Sequence, residues 1–268
     1  MNHTGSGKLS IILKYLRHRL ASRYRNGYGV HSPYLYALVR NVIFNRADIQ
    51  VPEEVLLSHR KLRRDPVAIE VDDRGAGSLT TRGARRTIGS MVKHSSVTEK
   101  QGTLLYRLCS WYQPATVLEF GTGLGISTSY LASGSGNAEI VTIEGSPEKH
   151  KYAVHNFPGG ISKKVDFRSG TFADHFEVML NRAGERTIVF IDGDHRYQST
   201  MDKVRAFLHR DLENIMVILD DIYWSDEMER AWKACFADPK VDISLDLFHF
   251  GILIRKPGIV KQHLKIKF

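Results

Sequence analysis

The sequence predicts an α/β fold: a Rossmann-like, doubly wound, seven-stranded and mostly parallel sheet, closed by an antiparallel C-terminal hairpin and preceded by a helical extension. Three observations predict it. From Thr98 onward, short apolar runs rich in Val and Ile alternate with helix-like segments, as expected of β-α units whose strands are buried on both faces. The first of these strands leads into VLEFGTGLGIST, a turn in which glycines alternate with other residues. Near the C-terminus, two strand-like runs follow one another with almost nothing between them, the spacing of a hairpin.

The chain divides into a basic, mainly helical segment, 1–90, and a second domain, 91–268. Its 268 residues, 42% hydrophobic and 25% charged, suffice for a sizeable core. Ile11, Ile12 and Leu13 make too short an apolar block for a leader, and no run is long enough to span a bilayer, so a cytoplasmic protein is expected. Two cysteines, Cys109 and Cys235, make no disulfide framework, which agrees with a reducing compartment. The net charge of +9 resides in residues 1–64, where 12 Lys/Arg face 3 Asp/Glu, while the remainder is balanced at 26 of each.

Leu9, Ile12, Leu13, Leu16 and Leu20 recur at helical spacing, with Lys14, Arg17, His18 and Arg19 mostly on other faces. The expectation is a helix that packs its apolar stripe on its own protein and solvates its charges. A membrane surface or nucleic acid is the alternative use of such a basic helix. An aromatic loop follows, with Tyr24, Tyr28, Tyr34 and Tyr36 around Gly27, Gly29 and Pro33, and then a second helix over 33–44. DDRGAGSLTTRG, residues 72–83, reads as a connecting loop. Leu104, Leu105, Leu108 and Trp111 suit a helix ended by Pro114. Strands are expected at 116–120, 140–144, 165–168, 187–192 and 215–221, with helices at 127–132, 147–156, 173–181 and 197–209. The hairpin pairs 243–248 with 251–256 at the sheet edge.

In a doubly wound sheet, ligands sit at the C-terminal strand ends, where strand order reverses. Gly121, Gly123 and Gly125 stand at such a place with spacing G-x-G-x-G, not the G-x-G-x-x-G of a dinucleotide fingerprint, which disfavours an NAD-dependent oxidoreductase. Glu119, two residues ahead, suits a ligand carrying a cation and would repel a pyrophosphate. Glu144 ends the second strand, where a carboxylate accepts hydrogen bonds from a ribose diol. SGTF, residues 169–172, follows the third strand and would flank an adenine ring.

Taken in order, VLEFGTGLGIST, TIEGSP, SGTF, VFIDGDHRY and VILDDIYWS resemble the motifs of class I S-adenosylmethionine-dependent methyltransferases, most closely the catechol O-methyltransferase-like branch, over roughly 91–256. TEKQ, ahead of the helix before the first strand, also fits. The resemblance implies S-adenosylmethionine as cofactor, with Glu119, Gly121, Thr122, Gly123 and Gly125 along its methionine part and Ser127 near its carboxylate at a helix N-terminus. Glu144 and Gly145 would lie at the ribose, Thr171 and Phe172 at the adenine, and Asp192 near the ammonium.

Asp192 ends the fourth strand, and Asp220 and Asp221 end the fifth. Adjacent strand tips lie about 5 Å apart. Carboxylates that close call for a neutralising partner, and Mg²⁺ with oxygen ligands is one that would also orient an acceptor hydroxyl. The resemblance implies a metal site of Asp, Asp and Asn. Asp192 and Asp220 match its aspartates, while Asp221 departs from its Asn. The other reading keeps Asp192 for the cofactor and the Asp pair as loop caps. His195, beside Asp194, falls near where the resemblance implies a lysine base, and an imidazole there would take the acceptor's proton. Tyr223, Trp224 and Ser225 would wall the acceptor pocket. Cys109 and Trp232 read as core. The expected function is O-methylation of a small molecule; the alternative is action on nucleic acid or at a membrane surface through the basic segment, which otherwise serves as a lid or in a homodimer.

Overall fold

A computed structural model describes residues 6–22, 30, 32–45, 47–71, 84–162 and 165–268, with the side chains of 6–9, Ala84 and Ser162 set aside. Tyr24 and Tyr28 of the aromatic loop, and the 72–83 loop, lie outside these residues. In chain order the elements are α1 (Ser6–Ala21), α2 (Pro33–Ala37) running into a π-helix (Leu38–Ile43), α3 (Glu53–Leu62), β1 (Ala68–Val71), β2 (Ala84–Thr87), α4 (Ile88–Ser95) and α5 (Glu99–Tyr112). Then come β3 (Thr116–Phe120), α6 (Ile126–Gly134), β4 (Glu139–Glu144), α7 (Pro147–Asn156), α8 (Gly159–Ser162), β5 (Val165–Ser169), α9 (Phe172–Arg182) and β6 (Thr187–Ile191). The last are α10 (Tyr197–Leu208), β7 (Ile215–Asp220), α11 (Asp226–Ala237), β8 (Ile243–Asp246), β9 (Phe250–Arg255) and β10 (Gln262–Lys265).

The strand order is β10-β8-β9-β7-β6-β3-β4-β5, so the sheet has eight strands where the sequence predicts seven. The eighth is β10, whose QHLK lacks an apolar run and carries no periodicity to read. It pairs parallel to β8, so the antiparallel β8–β9 hairpin is present but does not form the edge. The basic segment also holds an antiparallel pair, β1 with β2, that its charged sequence hides.

By its contacts the chain forms two compact units, 48–193 and 1–47 with 194–268. In the first, β3, β4, β5 and β6 run parallel, and every residue of β3 and β6 is buried. The chain proceeds from β3 to β4 and β5 on one side, then returns to place β6 on the other side of β3, so the tip of β3 is a point of reversal. Helix α5 begins with a capping box, Thr98 and Gln101 each bonding the other's backbone, and ends at Gln113 in the left-handed region. It packs against α6 so closely that a Cβ on Gly102 would sit 2.4 Å from the Tyr130 ring. The buried Tyr130 hydroxyl meets His59 Nδ1 at 2.9 Å, tying α3 to α6.

In the second unit, β7, β8 and β9 are buried throughout, and Trp232 of α11 lies on Gly251, where a Cβ would be 2.6 Å from the indole. Helix α1 is oriented opposite to the sequence expectation. Ile12, Leu13, Leu16 and Leu20 are 54%, 47%, 51% and 87% exposed, while His18 is buried. Specific polar contacts decide the rotation. His18 Nε2 donates to Asp246 Oδ1 at 2.9 Å, Lys14 Nζ bonds Asp226 at 2.6 Å and Glu229 at 3.0 Å, and Tyr15 sits edge-on to Phe248. Asp246 also accepts from Tyr223 Oη at 2.7 Å.

Candidate functional site

The glycine turn joins β3 to α6, and its backbone explains its composition. Gly121, Gly123 and Gly125 have φ of +112°, +56° and +79°, conformations that side chains with a Cβ resist. Gly121 is the most constrained, because a Cβ there would lie 1.9 Å from the carbonyl oxygen of Asp192. That carbonyl is held in place, since the Asp192 amide donates to Phe120 O at 2.9 Å. Over Gly123, by contrast, nothing stands within 4 Å of a Cβ, so the turn leaves open space there.

Glu144, at the tip of β4, fastens this turn to the next. Its Oε2 accepts the Gly123 amide and its Oε1 the Ser146 amide, both at 2.8 Å. These two bonds fix the carboxylate between the two turns. Ser146, which the sequence reading missed, caps α7 through its side chain and is followed by Pro147 at N1. That Ser-Pro pair is the signal that would have found it.

Glu119 and Thr122, both predicted cofactor contacts, are buried at the base of the turn. Glu119 is fully buried, and its Oε2 accepts from Thr128 at 2.5 Å and from Thr142 at 2.6 Å. Thr122 is 2% exposed and points inward to Thr142 at 2.6 Å. Burial pushes the Glu119 carboxyl up, against the pull of these hydroxyls. Both residues brace β3, β4 and α6 through these hydroxyls. Ser127 is buried in the first turn of α6, and Gly145 is half-buried at the head of α7. Thr171 caps α9 in a capping box with Asp174, and Phe172 stands edge-on to Phe120 at 5.5 Å.

The remaining predicted residues belong to the loops before α10 and α11. Asp194 and Asp221 have left-handed φ, 53° and 52°, unusual for residues with a Cβ and a feature that collects at functional loops. Burial alone would raise the Asp194 carboxyl; hydrogen bonds from Arg196 and Ser199 and the charge of Lys203 reverse this and hold it below the usual range. Burial pushes the His195 imidazole below its ordinary value despite the opposing charges of Asp221 and Asp194, so it is neutral near pH 7. Asp220 Oδ1 turns back to accept the Asp221 amide at 2.9 Å.

Among the described residues, no group of three or more His, Cys, Asp or Glu side chains is arranged to hold a metal ion. Asp192, Asp220 and Asp221 stay an expectation of the sequence, and no chemical step is routed through a metal.

Residues 118–222 match the family model described as a methyltransferase domain. The matched segment spans 105 of the 268 residues, under half of the chain. It holds the glycine turn, Glu144 and His195. Two catechol O-methyltransferases are similar in sequence: that of Niastella koreensis is 31% identical over 102 residues, which is 37% of this chain and 46% of that protein. The one from Mycobacterium tuberculosis is 34% identical over 101 residues, 37% and 45% of the two chains. The chain therefore spans less than half the length of the curated relatives it matches. A methyltransferase of Podospora anserina, solved with S-adenosylhomocysteine, superposes with a TM-score of 0.59 at 16% identity, covering 85% of this chain and 98% of that one. The fold is the one that this solved methyltransferase has.

Proposed function

We propose that this chain binds S-adenosylmethionine over the turn between β3 and α6 and transfers its methyl group to an oxygen of a small-molecule acceptor. The observation that carries the reading is the open space over Gly123 beside the Glu144 carboxylate, at the point where strand order reverses. When bound, the cofactor supplies a methyl group already activated on a sulfonium. The protein's task is then to hold donor and acceptor in line and to remove a proton. Glu144 receives the ribose hydroxyls while keeping its two amide bonds. The N-terminus of α6 at Ser127 receives the carboxylate of the methionine part. Gly145, Thr171 and Phe172 border the nucleoside, and Asp192 attracts the ammonium. His195, neutral at physiological pH, takes the proton of the acceptor hydroxyl. The catechol O-methyltransferases that resemble 37% of this chain support oxygen as the acceptor atom.

Calorimetric titration of S-adenosylhomocysteine tests the first half. Saturable binding that disappears in Glu144→Ala is expected, and absence of binding by the unaltered protein would remove the reading. Transfer of labelled methyl to a panel of phenols and carboxylic acids, with His195→Gln beside the unaltered protein, tests the second.

A further inference from the structure

We propose that the outward face of α1 docks on an anionic lipid bilayer. The helix has two faces of opposite character. At about 100° per residue, Lys14, Tyr15 and His18 share one side, and these make the contacts to Asp226, Glu229, Phe248 and Asp246. Ile12, Leu13, Leu16 and Leu20 share the other and are all exposed, from 47% to 87%. An apolar stripe set outward by inward ion pairs is not a core stripe. It is surface built to meet something apolar.

The charge around the stripe says what that is. Exposed Arg17 and Arg19 flank it, and residues 1–47 hold eight Lys/Arg and no Asp or Glu. A second copy of the helix would bring these arginines against their own kind, with no acid in the segment to offset them. Nucleic acid would meet the arginines but has no use for four aliphatic side chains. An anionic bilayer meets both: the leucines enter the boundary between headgroups and acyl chains, and the cations stay at headgroup level. Each cation near such a surface strengthens binding by roughly fivefold. Among the described residues no helix is long and apolar enough to cross a membrane, so α1 lies along the surface.

The test is sedimentation of the full chain with phosphatidylcholine vesicles, with and without phosphatidylserine. Binding to the phosphatidylserine vesicles that weakens with salt is expected. Leu16→Glu with Leu20→Glu should lower it by at least about tenfold, with circular dichroism and S-adenosylhomocysteine binding unchanged. Arg17→Gln with Arg19→Gln should lower it by a smaller factor. No sedimentation with either vesicle overturns the proposal. So does a dimer in light scattering that the leucine substitutions dissociate, since a second copy would then cover the face. Loss of vesicle binding only in the arginine pair, with displacement by DNA, overturns it in favour of nucleic acid.

Discussion

Replacing Gly123 by Ala separates the structural demands of the glycine turn from its proposed binding role. At φ +56° an added Cβ costs about 1–2 kcal/mol of backbone strain, and it meets nothing within 4 Å in the protein. The folded state should therefore lose only that amount, a fall in Tm of a few degrees, at about 2–4 °C per kcal/mol for a chain near this size. The methyl group would, however, occupy the space assigned to the cofactor. Displacing a close contact there should cost at least about 1.4 kcal/mol, or tenfold in Kd for S-adenosylhomocysteine. Gly121→Ala provides the contrast. Its Cβ would collide at 1.9 Å with Asp192 O, the backbone carbonyl of a residue whose amide is hydrogen-bonded to Phe120 O. Strain and overpacking together come to about 2–5 kcal/mol, so this variant should be seen first as a large loss of Tm. Thermal unfolding and calorimetry on both proteins make the comparison. If Gly123→Ala binds S-adenosylhomocysteine as tightly as the unaltered protein, the space over the turn is not the cofactor's seat.

Other expectations follow from the same contacts. Glu144→Ala leaves the Gly123 and Ser146 amides without their acceptor, which should cost about 1–3 kcal/mol in chemical denaturation besides abolishing cofactor binding. Glu144→Gln, which keeps one acceptor oxygen, should lie between the two on both measurements. His195→Gln should lower kcat by about 10²–10⁴-fold with the cofactor Kd unchanged; an unchanged rate would reassign the base. Asp246 is buried, which alone would raise its carboxyl, but His18, Tyr223 and Lys265 hold it below the usual carboxylate range. A depressed folded value means that its stabilisation is complete above the unfolded pKa of about 3.9 and is lost as pH falls through the lower folded value. Urea titrations between pH 5 and 2 should show this loss, and Asp246→Asn should flatten it while lowering stability near neutrality.

The centre of the parallel half of the sheet was legible because β3 and β6 are fully buried. A segment such as TIVFI has no reason to be continuously apolar except burial on both faces. The turn was legible for a different reason, since glycine adopts its positive φ angles at least cost. What escaped is what the tertiary structure decides. Nothing in ARRT or QHLK distinguishes a strand from a loop, because β2 and β10 are held by pairing and not by an apolar face. That Thr128 and Thr142 bond the Glu119 carboxylate is likewise a tertiary fact that the sequence does not show. The rotation of α1 was missed because a leucine stripe ordinarily outweighs a few polar contacts, and here Asp246, Asp226 and Glu229, distant in sequence, reversed that order.

The short strand β10 has a consequence for handling the protein. Its four residues occupy the outer side of β8, whose own residues are all buried. Remove residues 257–268 and β8 would offer a bare row of amides and carbonyls carrying Ile243 and Leu245, the template on which sheets from different molecules pair. Shortened versions of this chain should therefore precipitate, even though the glycine turn is left whole.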